Sequence, residues 1–369
     1  MDGLDDLLTR KVQSLGDLEL AVLISLVADQ HCIIETDKAL FENVKRELQL
    51  VASNVFGLSW AVLDCDKHMT LDDFGTGILV IEDNQDYFNV NTDKLRDEIS
   101  SLPSPPRLPD RRRSKSPQTF NPLDNRKIAN IIIATNLNTA STEVQIQALE
   151  LIRGKRNFTR TAVHAAPKPF LLVALNIVDS ERLTMHLNDQ FFISHRHRDE
   201  HGFPNLEELQ NEDIHKDDDS ASSVIRTPPF VLAKQKQDAV LLSSEDLAQL
   251  SSHIAEVKIS SEVRAYLHNI VVFLRLHRAV GGGISALATR HFNILAHTLA
   301  PLHGLSFISP SLVALAARKV YPHRISITSP ENERSMQWGS SLEAVKAVLE
   351  GVTVDDVIEE VLQSVEAPL

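Results

Sequence analysis

Aromatic residues make up only 5% of this 369-residue chain, so a packed interior has to be built mainly from aliphatic side chains. Cysteine is scarcer still. Cys32 and Cys65 sit in apolar surroundings without CxxC spacing, which argues against a disulfide framework or a structural zinc site and for a reducing compartment. Long apolar runs are missing too: the longest, "LELAVLISLVA" (18–28), falls well short of the roughly 20 residues a membrane helix needs. Positive charge is in the minority. The 37 basic residues face 50 acidic ones, and a net charge of -13 argues against nucleic acid as the partner of the whole molecule. The first residues, "MDGLDDLLTR", are acidic and polar, unlike a secretory or mitochondrial leader. The expectation is a cytoplasmic or nuclear protein with no membrane partner.

What is present reads as ordinary globular sequence, 43% hydrophobic and 24% charged, long enough for two modest domains. Apolar residues recur with helical spacing over 18–28 and 39–56, and strand-like runs follow at "HCIIE" (31–35) and "LSWAVLDC" (58–65). "GILVIED" (77–83) fits either a strand or a loop. Residues 101–127 break the pattern with recurrent proline and the basic run "RRRSK", and read as a solvated, disordered insertion. Its Ser104-Pro105 and Ser116-Pro117 pairs are candidate phosphorylation sites. Order returns with "IANIIIAT" (128–135), an amphipathic helix through Ile152, and the strand "PFLLVALN" (169–176). Strands alternating with helices predict an α/β fold with a mainly parallel sheet. A polar stretch from 195 to 243, with "HRHRDEH" and "NEDIHKDDDSASS", reads as a flexible acidic linker. Four helical patterns fill 244–326, and a helical tail occupies 327–369. The α/β part is thereby expected over 1–194.

The helical part carries the most specific signal. Arg275 and His277 end one helix, Gly283-Ile284-Ser285 opens a long Ala/Leu-rich helix that runs to Gly304, and Ser309-Pro310 and His323-Arg324 follow. In order and spacing this resembles the lid of AAA+ ATPases of the MoxR and magnesium-chelatase type. Laid over the same family, "TDKALFEN" (36–43) falls at the phosphate loop and 131–134 at the Walker B strand. Asn138, Ala140, Gln145, Leu149 and Glu150 match the helix after it, Asn176 ends the sensor-1 strand, and "LNDQF" (187–191) replaces Leu-Leu-Asp-Arg-Phe. The resemblance implies a P-loop NTPase-like core followed by a helical lid. It also implies a nucleotide pocket drawn from Thr36, Lys38, Asn43, Thr135, Asn136, Asn176 and Arg290, with ATP and magnesium as the cofactors an intact member would use.

The chemistry such a pocket needs is missing. No GxxxxGK[ST] occurs anywhere in the chain. At the family's phosphate loop Thr36 and Ala39 stand for glycines, and Glu42-Asn43 for the Lys-Thr pair that neutralises phosphate and holds magnesium. A unit charge about 4 Å from a phosphate is worth roughly 4 kcal/mol at an effective dielectric of 20, so a carboxylate there strongly opposes the ligand. The Walker B strand ends in Thr135-Asn136, neither of which can act as a general base near neutral pH. Gln190 occupies the arginine-finger position and Leu287 the sensor-2 position, with Arg290 one helical turn on. Five independent departures on a retained scaffold point to loss of catalysis, and no catalytic residue is assigned.

"HRHRDEH" places His195, His197 and His201 at spacings that fit a transition metal. No cysteine or second histidine pair completes a set in a stretch expected to lack structure, so no metal site is assigned. "RRRSK" reads as a solvated linker first and an import signal second. Three readings remain open. The preferred one is a degenerate AAA+ module acting as scaffold or regulatory subunit with protein partners, in an AAA+-like oligomer or hetero-ring. The second is an active ATPase of the magnesium-chelatase or MoxR type, performing metal insertion or chaperone work with an atypical pocket. The third is an interaction protein whose insertions carry the function.

Overall fold

The computed structural model describes residues 2–81, 126–160, 162–209 and 240–368. Residues 101–125, including both Ser-Pro pairs and "RRRSK", and residues 210–239 of the acidic stretch lie outside the described residues.

The first half runs α1 (Asp2–Gln13), α2 (Asp17–Val27), β1 (Cys32–Thr36) and α3 (Phe41–Leu50), the last continuing into a π turn at Val51–Val55. Next come β2 (Trp60–Asp64), α4 (Leu71–Gly77), β3 (Leu79–Ile81) and β4 (Arg126–Ile128). The ambiguous segment at 77–83 is thus a strand as far as it is described, paired antiparallel with β4. Then follow β5 (Ile131–Thr135), α5 (Thr142–Gly154), β6 (Arg156–Phe158), β7 (Val163–Ala165), β8 (Leu171–Ile177), α6 (Met185–Gln190) and β9 (Ile193–His197).

Five of these strands form one sheet in the order β2-β5-β8-β1-β9, and every neighbouring pair is parallel. Helices cover both faces, which is why β5 and β8 read as nearly unbroken apolar runs instead of alternating ones. Side-chain alternation divides the interior in two. Cys32, Ile34, Ile133 and Val173 face the cluster built by α2 and α3. Ile33, Ile132, Ala134 and Leu172 face the one built by α5 and its neighbours.

The second half contains α7 (Ser244–Glu256), α8 (Ser261–Leu276), β10 (Val280–Gly282), α9 (Ala286–Leu302), α10 (Pro310–Val320), β11 (Ser326–Ile327), α11 (Leu342–Leu349) and α12 (Val354–Ser364). Four serines start its long helices: Ser243, Ser260, Ser285 and Ser309 each accept the backbone N–H three residues on. Phe292, Leu295, Leu299 and Tyr321 of this half belong to the same buried cluster as α2, α3 and β1, so the core and the helical part share one interior. No described helix is long and apolar enough to cross a membrane.

One expected boundary is wrong. The linker placed at 195–243 begins inside β9, and residues 199–201 and 204–209 are helical. The segment is too polar to read as a strand, yet alternation buries His195 and His197 while Arg196 faces solvent. Backbone pairing with β1 fixes the register, Ile34 opposite His195 and Thr36 opposite His197.

Candidate functional site

Ligands of open parallel sheets gather at the C-terminal ends of the strands. Asp64, Thr135, Asn176, Thr36 and His197 occupy those ends here. The register pairs Asp64 with Thr135, Thr135 with Leu175, Glu35 with Asn176 and Thr36 with Ile177. Paired residues point to the same face, so Thr36 and Thr135 share one side of the sheet and Asn176 the other. The expected pocket residues therefore do not converge. Thr36 Oγ1 and Asn176 Oδ1 are buried without a hydrogen-bond partner, on opposite faces. Lys38, Asn43 and Arg290 are exposed. Asn136 adopts a left-handed conformation and donates its N–H to Leu175 O at 2.8 Å, a structural duty at the strand end.

The stretch in place of a phosphate loop is a tight turn. Leu40 N–H donates to Asp37 O at 3.0 Å and Leu40 C=O accepts from Val44 N–H at 2.9 Å, so α3 starts at once. A phosphate nest needs successive N–H groups opened by left-handed residues. None of residues 36–43 is among the positive-φ positions of the described chain.

At the strand end where the sequence placed the Walker B acids, protein groups are bonded to one another at the surface. Thr135 Oγ1 donates to Asp64 Oδ1 at 2.8 Å, and Lys45 Nζ donates to the same oxygen at 3.2 Å while lying 3.4 Å from Glu42. Burial pushes the Asp64 carboxyl up, but the hydrogen bonds from Thr135 and Lys45 hold it below its ordinary value. Burial pulls the half-buried Lys45 down, but Asp64 and Glu42 hold it above its ordinary value. The sequence offered one signal for this set: an acid closing "WAVLD" beside a strand that ends in Thr135.

A cavity of about 520 Å³ opens on the Asn176 face, between the sheet edge, α10 and the start of α12. Glu35, Asn176, Arg182, Arg196, Lys319 and Asp355 are among the residues that line it. Burial raises the Glu35 carboxyl above its ordinary value, opposed by Arg196 and Arg182. Of the seven expected pocket residues, only Asn176 lines this cavity.

The joint between core and helical part is held by a buried arginine. Arg324, 4% exposed, donates to Val320 O at 2.5 Å, Phe192 O at 3.2 Å, Asp189 O at 3.2 Å and Phe191 O, and lies 3.3 Å from the Asp189 carboxylate. It also donates to His291 Nδ1 at 2.6 Å. Burial pulls the guanidinium down to about 10 and the His291 imidazole to about 3, the latter helped by Arg324. Asn188 donates to His323 O at 2.6 Å and Ser285 to Asp189 at 2.8 Å, adding to the same seam. The His-Arg pair that marked the lid in the sequence is therefore its fastening. Asn138 and Gln145 are structural as well, bonded to Glu181 O at 2.7 Å and Ala140 O at 3.1 Å.

The chain is similar in structure to a solved structure named a putative ATPase, from Cytophaga hutchinsonii. The TM-score is 0.62 at 15% identity, over 98% of this chain and 94% of that one. The fold is that of an AAA+ ATPase. At that identity the likeness shows the AAA+ fold alone, and the site must be argued from its own residues. No protein-family model matches the chain. Two curated yeast proteins match parts of it, both named Maintenance of telomere capping protein 2. The Lachancea thermotolerans protein is 32% identical over 108 residues, which are 28% of this chain and 38% of that one. The Kluyveromyces lactis protein is 28% identical over 156 residues, 38% of this chain and 57% of that one. The chain thus spans less than two thirds of the length of either relative.

Proposed function

We propose that this AAA+ module has lost ATP hydrolysis and works as a scaffold or regulatory subunit in a protein assembly. The observation that carries this reading is the closed turn at Asp37–Leu40, with Glu42, Lys45, Asp64 and Thr135 bonded to one another where phosphate, metal and catalytic acids would be accommodated. A hydrolytic site needs its charges free to meet the ligand, and these already have protein partners. The buried Arg324 clamp supports the same reading, because a lid tied to core carbonyls has little freedom to follow a nucleotide cycle.

MoxR and magnesium-chelatase ATPases share the lid pattern, so assembly into an AAA+-like oligomer or hetero-ring is the mode of partnering we propose. The name carried by the two yeast relatives supports a role in telomere maintenance and residence in the nucleus. Steady-state hydrolysis assays combined with sedimentation tests the proposal. The expected result is no magnesium-dependent ATP turnover above a heat-inactivated control, and a mass unchanged by nucleotide. Turnover abolished by Asp64→Asn would instead identify a working, rearranged ATPase.

A further inference from the structure

β9 is the edge strand of the sheet, and its inward positions are Ile193, His195 and His197. The two imidazoles are 5% and 2% exposed. Nε2 of His195 and both ring nitrogens of His197 are buried without a hydrogen-bond partner. Buried polar atoms are nearly always paired, and three orphaned nitrogens on neighbouring rings call for a ligand or a reason. His31 and His291 do have partners, His31 Nδ1 accepting from Leu172 N–H at 3.0 Å and His291 from Arg324, and His323 leaves only Nδ1 unpaired, whereas His197 leaves both ring nitrogens.

The short turn Asp199–His201 folds back and brings a third imidazole to the pair. One ring nitrogen from each of His195, His197 and His201 then lies within 4.8 Å of the others. Across the turn, His201 Nε2 stands 3.4 Å from Asp17 Oδ2 in the first turn of α2. A tetrahedral zinc ion with ligands at about 2.0–2.1 Å sets neighbouring donors about 3.3–3.4 Å apart. The His201–Asp17 spacing already fits. The wider gaps among the three imidazoles need closing by up to about 1.4 Å to reach that spacing, a shift within reach of a partly exposed imidazole on a three-residue turn, and the exposed Asp17 carboxylate, which meets His201 alone, has to swing in toward His195 and His197.

We propose that His195, His197, His201 and Asp17 form a site for a divalent transition metal of the zinc class, which pins the edge strand and its following turn to the start of α2. Three imidazoles and one carboxylate suit zinc, cobalt or nickel and disfavour magnesium or calcium, which prefer all-oxygen sets. Two existing contacts oppose loading. Lys319 Nζ lies 3.2 Å from His195 Nδ1, and Arg198 N–H donates to His201 Nδ1 at 3.2 Å. A neutral imidazole that ligates through Nε2 carries its hydrogen on Nδ1, so both donors must move aside. Lys319 lines the 520 Å³ cavity, into which its ammonium can turn. The lysine is thus a built-in competitor of the metal.

The test uses the full chain, stripped with a chelator and titrated with cobalt(II), then with zinc(II) in competition. One equivalent is expected to bind at about 1 μM or tighter with the intense visible bands of tetrahedral cobalt, which zinc abolishes. His201→Gln and Asp17→Asn should each weaken binding at least tenfold, while Lys319→Met should tighten it severalfold. His201 sits on an exposed turn, so its variant should unfold at the same temperature as the metal-free parent, which separates loss of the site from loss of the fold. Binding weaker than about 100 μM overturns the proposal, as does binding whose affinity is unchanged by His201→Gln and Asp17→Asn, since the chain holds 15 histidines and scattered surface ones would then be responsible.

Discussion

Replacing Arg324 with methionine should loosen the helical part from the α/β core more than any other single change outside the sheet. Methionine keeps most of the aliphatic stem but removes every donor. Four backbone carbonyls, those of Asp189, Phe191, Phe192 and Val320, lose this partner, and the Asp189 carboxylate loses its nearest cation. An unsatisfied buried polar group costs about 1–3 kcal/mol, and breaking a buried ion pair about 3–5 kcal/mol. Asp189 is partly exposed and water can reach the freed carbonyls, so the range for the broken ion pair alone, about 3–5 kcal/mol, is the expectation. At about 1.3 °C per kcal/mol for a chain of 369 residues, the melting temperature falls by about 4–7 °C. Calorimetry supplies the number, and hydrogen exchange supplies the place. Protection should fall first in α9 and α10 and persist in β5 and β8. Arg290→Met, at an exposed position on α9, is the control and should stay within about 0.5 kcal/mol. A loss below about 1 kcal/mol for Arg324→Met, or uniform loss of protection, would refute the view that this residue fastens the lid.

Three further outcomes follow from particular residues. His31, His291 and His323 are buried with folded-state pKa values below 6.5, the first at about 4 and the second at about 3, chiefly through burial. Below pH 6.5 the unfolded chain binds protons that the folded one refuses, so stability should rise with pH between about 4 and 6.5; a flat melting temperature from pH 5 to 6.5, where most carboxylates are ionised, would contradict it. Glu42→Lys restores the charge of a phosphate-loop lysine but not the opened backbone, and should yield no calorimetric ATP binding; binding in this variant would show that charge alone had closed the site. Gly283 sits at φ +100°, and an added Cβ would lie 2.0 Å from Arg324 O, so Gly283→Ala should unfold at a temperature several degrees lower, whereas an unchanged melting curve would show that the turn can yield.

Much of the fold was legible because both faces of the sheet are covered. The runs "IIIAT" and "LLVAL" announce buried parallel strands through composition, and the serine before each lid helix marks its start. β9 escaped because its strand character rests on pairing with β1, and its buried positions carry histidine. The site was legible only as a set of absences. That Lys38, Asn43 and Arg290 would end in solvent, and that Thr36 and Asn176 would point to opposite faces, depends on register and on the tightness of the 37–40 turn. Neither is visible in residue identities. Lys45 and Asp64 meet across the α3–β2 connection, and no local spacing rule joins residues on two elements.

Calorimetric titration of the purified chain with ATP, and then with ADP, in excess magnesium tests the central claim most directly. The closed turn and the internally bonded Lys45–Asp64–Thr135 set predict no saturable heat up to millimolar nucleotide, on protein shown to be folded. Saturable micromolar binding would contradict that account and return the chain to the nucleotide-driven AAA+ proteins.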